Sequence, residues 1–254
     1  MQVEARPDRD GVLYIATGEK YLRAAMRSAE SVRRHSPGLA IHLYGDWARF
    51  GFDFSRSPHP FTSVGTVDGS HRRSKIDYLP RTPFARTLFL DTDTDVRADL
   101  RGMFQLLDRF DIAMTHAHRR KSERPWRIAL PDAFPQFNSG VILFRSTPEV
   151  LGFLDEWRRQ FHETGFRKDQ RTLRELLYLS DLRIATLPPE YNIRFLKYHL
   201  LWYGGEASTK ILHRAEYHKG RFWLLRKWMI RVDRRFRNAP RGRGATDASD
   251  PGRP

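Results

Sequence analysis

Short apolar strands alternate with amphipathic helices along this chain, and this order restricts the folds it can adopt. Residues 11–16 form an apolar run rich in strand-forming residues, and apolar residues then recur at helical spacing from Tyr21 to Val32. A second apolar run follows at residues 39–44. This order predicts an α/β domain with an open, mostly parallel sheet flanked by helices. Ligands bind such sheets outside the carboxyl ends of the strands, so the residues after each strand are the first candidates for function.

The same patterns predict the remaining elements. We expect a loop at residues 116–135, where basic residues and prolines interrupt any periodicity. No internal repeat is visible. The predicted strands are 61–67, 86–90, 111–115, 137–144, 183–187 and 210–213, and the predicted helices are 75–79, 103–110, 147–162 and 169–178.

Composition narrows the chemistry. The 254 residues are 40% hydrophobic, which suits one domain with a full core. Because the chain has no cysteine, disulfides, thiolate metal sites and a cysteine nucleophile are excluded, and a metal must be held by carboxylate, imidazole or carbonyl groups. No apolar run approaches the roughly 18 residues of a membrane span, and the polar start does not resemble a secretory signal. We therefore expect a cytoplasmic protein.

The net charge of +15 is concentrated near the end of the sequence. Residues 219–243 contain ten Lys or Arg residues and one acid. Residues 222–236 place apolar and basic side chains on opposite helical faces, which is typical of helices that lie on anionic membranes. The alternatives are that Trp223 and Trp228 pack on the domain, or, least favoured, that the segment binds nucleic acid. We expect a domain over residues 1–218, a basic helix over 219–237 and a disordered tail over 238–254.

Acidic residues directly follow the very apolar strand at residues 86–90. The carboxylates of Asp91 and Asp93 can converge on one cation once the chain leaves the sheet. A diphosphate needs Mg²⁺ or Mn²⁺ between itself and such carboxylates, because their negative charges otherwise repel. The alternative is a polar turn that caps the next element. Asp95 is a further acid that we rank behind the other two.

A third ligand is expected from the distant end of the domain. His213 follows a short apolar strand and would complete the ligand set, and one imidazole favours Mn²⁺ over Mg²⁺. His218 is its rival. Lys219, six residues after His213, is placed to neutralise a phosphate as a point charge.

Five motifs occur together between residues 11 and 219, and jointly they resemble the retaining GT-A glycosyltransferases of the family 8 type. This family includes glycogenin and bacterial lipopolysaccharide galactosyl- and glucosyltransferases. The matching motifs are the strand and turn leading to Tyr21, Leu90-Asp91-Thr92-Asp93, Phe137-Asn138-Ser139-Gly140-Val141, Asp169-Gln170, and His213 followed by Lys219.

The resemblance implies a GT-A fold and a metal-dependent hexosyltransferase. Its donor would be a nucleotide-diphosphate sugar, most simply a UDP-hexose, and its acceptor a glycan or glycolipid, as in lipopolysaccharide biosynthesis, with retained anomeric configuration. The basic helix expected at residues 219–237 would place this enzyme at the inner face of the cell membrane as a peripheral protein. The implied roles are metal binding by Asp91, Asp93 and His213, catalysis by Asn138, Asp169 and Gln170, and nucleotide-sugar binding by Ala16, Thr17, Tyr21, Lys75, Asp91, Thr92, Asp93, Asn138, Ser139 and Lys219.

The sequence departs from the family pattern in two places. The first loop lacks the usual acid, since Thr17 and Gly18 stand there, and the residues around His213 and Lys219 differ. Alternatives also stay open for single residues: Lys75, like Arg72 and Arg73, would be a solvated cation, and Asp169 would be a helix N-cap.

Two other functions are compatible with the pattern. One is a nucleotidyltransferase that makes activated sugars, although the first loop is a poor match to its phosphate loop. The other is a non-catalytic basic module. For a transferase, we expect the acceptor against residues 116–135 and near Trp202 and Tyr203.

Overall fold

The computed structural model describes residues 9–67, 74–118, 126–166, 168–195 and 207–213. Its strands and helices run in the alternating order that the sequence predicts. The strands are β1 (Asp10–Ala16), β2 (Ala40–Gly45), β3 (Ser63–Thr66), β4 (Arg86–Leu90), β5 (Thr94–Val96), β6 (Ile112–His116), β7 (Phe137–Arg145), β8 (Ile184–Thr186) and β9 (Ile211–His213), and the α-helices are α1 (Glu19–His35), α2 (Lys75–Tyr78), α3 (Pro148–Thr164) and α4 (Gln170–Leu179).

Seven of these strands form one mixed sheet in the order β3-β2-β1-β4-β7-β6-β8. Neighbouring strands run parallel except at β7, which is antiparallel to both β4 and β6. The predicted α/β fold with a mostly parallel sheet is confirmed. Because β7 runs against β4, its first residues lie beside the last residues of β4, at the edge where ligands bind in such sheets.

The sheet is buried on both faces, as its near-continuous apolar strands require. Val12, Tyr14 and Ala16 of β1 belong to the core that α1 covers, whereas Leu13 and Ile15 belong to the core under α2, α3 and α4. This alternation gives the sheet two helical layers.

A second, two-stranded sheet consists of β5 and β9, which pair antiparallel with Thr94 opposite His213. Helix α1 fixes this sheet through side-chain hydrogen bonds. The Ser28 hydroxyl lies 2.8 Å from the Tyr14 hydroxyl and 2.7 Å from that of Thr94, and the Ser31 hydroxyl accepts from the backbone of Val96 at 2.8 Å. The small sheet therefore holds the segment that follows β4 against β9.

Several predicted elements need correction. Strand β5 was not predicted, since residues 91–95 were expected only to leave the sheet. The predicted helix at 103–110 is a 3-10 helix over Arg101–Asp108. Strand β9 was predicted, but it pairs with β5 instead of joining the large sheet. In the described part of the loop after β6, no helix or strand occurs before β7, as expected.

The basic helix predicted at residues 219–237 and the tail at 238–254 lie outside the described residues. Among the residues that the structure describes, no helix is both long and apolar enough to cross a membrane.

Candidate metal and donor site at the carboxyl edge of the sheet

Three residues predicted as metal ligands lie together at the carboxyl end of β4. The His213 Nε2 atom is 3.4 Å from Asp91 Oδ2 and 3.2 Å from Asp93 Oδ1. One ligand atom from each residue lies within 4.8 Å of those of the other two. Two carboxylates and one imidazole fit a hard divalent cation such as Mn²⁺ or Mg²⁺. We call Asp91, Asp93 and His213 the metal cluster.

The local sequence explains how the metal cluster forms. The Thr94 hydroxyl donates to the Asp91 carbonyl at 2.8 Å, which turns the chain from β4 into β5. Residues 91–96 then alternate between buried and partly exposed, so Asp91, Asp93 and Asp95 are the partly exposed ones. The carboxylate of Asp95 pairs with Arg97 at 3.1 Å, outside the metal cluster.

Gly140 leaves the space that His213 occupies. A Cβ atom at this position would lie 2.0 Å from His213 Cε1 and 2.8 Å from Asp91 Oδ2. Such distances are far inside van der Waals contact, so the Phe-Asn-Ser-Gly motif needs a glycine here for a steric reason. Strand β7 thereby forms one wall of the metal cluster.

A second group of polar residues adjoins the metal cluster. Lys75 opens α2, and its Nζ donates to Asp91 Oδ1 at 3.1 Å, to the Ser139 carbonyl at 2.9 Å and to the Ser139 hydroxyl at 3.1 Å. The same Nζ lies 3.4 Å from Asp169 Oδ2, which accepts from the Ser139 hydroxyl at 2.6 Å. We call Lys75, Ser139 and Asp169 the lysine cluster.

Two alternative interpretations are wrong for this cluster. Lys75 is only 8% exposed, so it is a buried, multiply bonded cation and not a solvated one. Asp169 precedes α4, but its side chain makes no capping hydrogen bond and instead faces Ser139 and Lys75. Its backbone carbonyl accepts from the buried Trp157 indole at 3.2 Å, which anchors the start of α4 to α3. Gln170 follows as the first, partly exposed residue of that helix.

The charges of both clusters are interdependent. Burial disfavours the charged form of Asp91, but Lys75 and His213 outweigh it, so the pKa of Asp91 lies well below the usual range of a carboxyl group. Burial likewise opposes the charge on Asp93, whose pKa is nevertheless lowered, chiefly by His213. Burial also opposes the charge on His213, but its bonds to Asp91 and Asp93 raise its pKa above the ordinary value. Without a metal, the two carboxylates therefore favour the protonated form of the ring more than water does for an ordinary histidine.

Asn192, which is not among the residues predicted from the sequence, contacts His213 on its other side. The Asn192 side-chain oxygen lies 2.7 Å from His213 Nδ1, and its amide nitrogen donates to Asn138 Oδ1 at 3.0 Å. Asn138, expected at the donor sugar, is thus bonded to Asn192. Its Oδ1 also accepts from the Gly140 backbone at 2.9 Å. A usable signal existed, because Asn192 follows the carboxyl end of β8, a strand parallel to β6.

The residues expected at the nucleotide surround the first loop. Ala16 is buried at the end of β1, Thr17 is partly exposed, and Tyr21 is 48% exposed on α1. The loop is fixed by Asp46 from the end of β2, whose carboxylate accepts from the Gly18 backbone at 2.7 Å. Asp46 thus supplies an acid to this loop from the next strand, although the loop's own sequence has none at Thr17 or Gly18. Thr92, which stands in the sequence between the two predicted metal ligands that follow β4, is buried.

Several predicted residues lie outside the described part of the chain. These are Arg72, Arg73, Trp202, Tyr203, the rival ligand His218 and the phosphate-binding candidate Lys219.

The described part of the loop predicted at residues 116–135 is held by α4. Arg174 donates to the carbonyls of Pro131 and Phe134, and the Glu175 carboxylate accepts from the backbone of Arg127 at 3.0 Å. A cleft opens beside this loop next to the start of β7. Its lining residues are His116, Asp132, Ala133, Phe134, Pro135, Gln136 and Arg174.

The fold matches that of solved glycosyltransferases. The galactosyltransferase LgtC, in complex with donor and acceptor sugar analogs, superposes with a TM-score of 0.61 at 15% identity, over 91% of this chain and 98% of that one. The glycosyltransferase GlyE of Streptococcus pneumoniae TIGR4 gives 0.57 at 17% identity, over 89% of this chain and 61% of GlyE. Mouse xyloside xylosyltransferase 1, in its apo form, gives 0.53 at 16% identity, over 83% and 99%.

No protein-family model and no curated protein sequence matches the chain. At these identities the structural matches establish the fold, and the predicted GT-A fold is confirmed. Membership of family 8 stays a prediction.

Proposed function

We propose that this protein is a divalent-metal-dependent hexosyltransferase that uses a nucleotide-diphosphate sugar, most simply a UDP-hexose, and retains the anomeric configuration. The observation that carries the proposal is the convergence of Asp91, Asp93 and His213 beside the lysine cluster, at the carboxyl edge of a glycosyltransferase fold. Neither cluster alone distinguishes a transferase from a structural ion-pair network.

The metal cluster suits the diphosphate end of the donor. Asp91, Asp93 and His213 would hold Mn²⁺ or Mg²⁺, which when bound neutralises the negative charge that develops on the leaving diphosphate. Asp91 and Asp93 keep their charge at neutral pH, since the pKa of each carboxyl group is lowered. Lys219, six residues after His213, is proposed to add a second positive charge. Ala16, Thr17, Tyr21 and Thr92 are proposed to bind the nucleotide.

The lysine cluster suits the sugar end. Asp169 Oδ2 already accepts from Ser139 and lies 3.4 Å from the Lys75 ammonium group, and both contacts reduce its nucleophilicity. This arrangement favours electrostatic stabilisation of an oxocarbenium-like centre over covalent attack. Gln170 and Asn138 are proposed to hold the sugar hydroxyls. The acceptor hydroxyl would then attack on the face that the diphosphate leaves, so no enzymic nucleophile is required.

The acceptor is proposed to be a glycan or glycolipid, as in lipopolysaccharide synthesis. The cleft beside residues 131–136 adjoins the start of β7 and combines an imidazole, a carboxylate and aromatic surface, which suit sugar hydroxyls and sugar faces. Residues 219–237 are proposed to bind an anionic membrane surface near a lipid-linked acceptor. Flotation with anionic liposomes tests this part separately: a chain truncated after Lys219 should float less than the full chain, and equal flotation would contradict it.

The central test is a panel of nucleotide sugars assayed for Mn²⁺-dependent release of the nucleoside diphosphate. We expect turnover of at least one hexose donor, loss of that turnover on chelation, and its loss in Asp93→Asn. Asp95→Asn is the matched control, because Asp95 lies on the same segment but pairs with Arg97, and it should retain turnover. Rates that are equal with and without the chelator, or no binding of UDP and Mn²⁺ by calorimetry, would contradict the proposal.

A further inference from the structure

We infer that Asn192 is a positioning residue that fixes the orientation and tautomer of His213 for metal binding and ties that ring to Asn138. The inference rests on the proposed metal-dependent function. It assigns a role to a residue that makes no direct contact with the proposed cation.

The hydrogen bonds of Asn192 determine which way its amide faces. The side chain is 2% exposed, and its nitrogen donates to Thr115 Oγ1 at 2.9 Å and to Asn138 Oδ1 at 3.0 Å. The Asn138 oxygen already accepts from the Gly140 backbone, which identifies it as an acceptor and requires a donor from Asn192. The Asn192 oxygen must therefore be the atom 2.7 Å from His213 Nδ1.

This amide orientation determines the His213 tautomer. An amide oxygen only accepts, so Nδ1 of His213 must carry the proton that forms this bond. When the ring is neutral, the lone pair is then on Nε2, the atom that faces Asp91 and Asp93. A metal-binding histidine is commonly oriented in this way, with its other ring nitrogen donating to a buried oxygen.

The backbone fixes Asn192 and His213 relative to each other. Ile193, the residue after Asn192, forms a parallel bridge with Leu212. Its amide donates to the Ile211 carbonyl at 2.9 Å, and its carbonyl accepts from the His213 amide at 2.8 Å. Neither segment can slide past the other without breaking these backbone hydrogen bonds.

Asn192 also connects the residues proposed to act at the two ends of the donor, the diphosphate end and the sugar end. Asn192 bonds on one side to a proposed metal ligand and on the other to Asn138, which is proposed to contact the sugar. One buried amide therefore holds both groups at a fixed separation. Removing such an outer partner typically lowers metal affinity by about 10- to 100-fold.

The test compares Asn192→Leu and Asn192→Asp in the full chain, with Mn²⁺ affinity measured by calorimetry and folding stability by thermal melting. Leucine has a similar volume but cannot accept from His213, so we expect the affinity to fall by about 10- to 100-fold. Aspartate still accepts from Nδ1, so its affinity should stay close to that of the wild type. Aspartate also places a carboxylate oxygen against the Asn138 oxygen, so it should destabilise the fold at least as much as leucine does.

We therefore expect Asn192→Asp to bind Mn²⁺ more tightly than Asn192→Leu but to be no more stable to heat. This opposite ranking of affinity and stability separates a positioning role from a packing role. If Asn192 only packs, affinity should follow stability and aspartate should be no better than leucine, which would overturn the inference. Unchanged Mn²⁺ affinity in Asn192→Leu would overturn it too. A wild-type chain that binds no Mn²⁺ would instead contradict the proposed metal-dependent function, on which the inference depends. Thr115→Val, which removes only one of the bonds to the Asn192 amide, should show a smaller loss than leucine.

Discussion

Asp91 of the metal cluster also contacts Lys75 of the lysine cluster, but the two clusters differ in how completely their charges are paired within the fold. In the lysine cluster, the side chains of Lys75 and Asp169 are 9% and 2% exposed and contact each other and Ser139. In the metal cluster, Asp91 and Asp93 are 27% and 29% exposed, and the His213 ring lies between their carboxylates. One cluster is a closed part of the fold, whereas the other is open to an incoming ion.

The difference shows that one edge of the sheet can hold a buried ion-pair cluster, which is part of the fold, beside a partly exposed cluster that can bind and release an ion. A buried ammonium group is strongly destabilising without partners, so Lys75 must be bonded in the folded chain whether or not a ligand is present. The metal cluster instead places two carboxylates so close that each favours any cation between them. Asp91 connects the two, with one carboxylate oxygen directed at Lys75 and the other at His213.

The largest expected effect comes from Asp91→Asn, because this change affects both clusters. Losing a ligand charge should remove several kcal/mol of transition-state stabilisation, which corresponds to a loss of turnover of about a thousandfold or more. The variant should also be less stable than the wild type, since Lys75 loses its ion pair with Asp91 and keeps that with Asp169. Nucleoside diphosphate release and thermal melting measure the two effects.

Asp93→Asn is the informative comparison for Asp91→Asn. Asp93 pairs with His213, whereas the carboxylate that pairs with Lys75 beside the metal cluster is that of Asp91. It should lose a similar amount of turnover with a smaller loss of stability. Equal destabilisation by both substitutions would show that the lysine cluster does not depend on Asp91.

Lys75→Met breaks the closed cluster and should have the next largest effect. Removing one partner of a buried ion pair typically costs about 3–5 kcal/mol, and Asp169 would be left buried without its cation. The Mn²⁺ affinity should rise while the stability falls, since the positive charge beside Asp91 is gone. Thermal melting and Mn²⁺ calorimetry test the two signs, and a weaker affinity would contradict the separation of the clusters.

The sequence predicts the large sheet well because its strands are bounded by local signals. The apolar run before Asp91 and the helical spacing after Gly18 depend on neighbours a few residues away, and β4 has the predicted bounds. The rule that ligands bind outside the carboxyl ends of the strands predicts Asp91 at the site. It does not predict Asn138, which begins β7 and reaches this edge only because β7 runs antiparallel to β4, nor Asp169, which precedes a helix. Those two residues were expected here from the family resemblance.

The small sheet and the amide of Asn192 lie beyond that kind of inference. Strand β5 has three residues that alternate between threonine, aspartate and valine, and it is stable as a strand only because β9 and α1 pack on it. A three-residue strand carries almost no intrinsic preference, so tertiary contacts decide it. The burial of Lys75 was likewise invisible, because a lone lysine at a helix start is ordinarily exposed.

Gly140→Ala tests the metal cluster with a smaller change. The added methyl group would overlap His213 Cε1 and approach Asp91 Oδ2, so the ring must move away from the carboxylates. We expect Mn²⁺ affinity to fall by about 10- to 100-fold, as for other displaced ligands, while the lysine cluster stays bonded. Gly152→Ala is the matched control, because a Cβ there meets nothing within 4 Å. Equal Mn²⁺ affinity in both variants would show that His213 is not held where the geometry requires.

The smallest expected effect is a pH dependence that distinguishes the open cluster from the closed one. The bonds to Asp91 and Asp93 raise the pKa of His213 in the metal-free fold, despite the opposing effect of burial. A raised pKa means that the folded chain holds a proton that the unfolded chain releases. This stabilisation is complete below the ordinary histidine pKa of about 6.5 and is lost as the pH rises through the raised value, with a slope of at most about 1.4 kcal/mol per pH unit.

Metal binding should reverse the sign of that dependence. A cation needs the neutral His213 ring, so binding releases the proton and Mn²⁺ affinity should increase with pH over the range in which metal-free stability falls. Melting curves at a series of pH values above about 6.5, with and without Mn²⁺, measure both trends. His213→Gln should flatten both. Lys75→Met should leave the His213 ring between its two carboxylates, so metal-free stability should still fall with pH and Mn²⁺ affinity should still rise. If this variant abolished either trend, the two clusters would titrate as one unit.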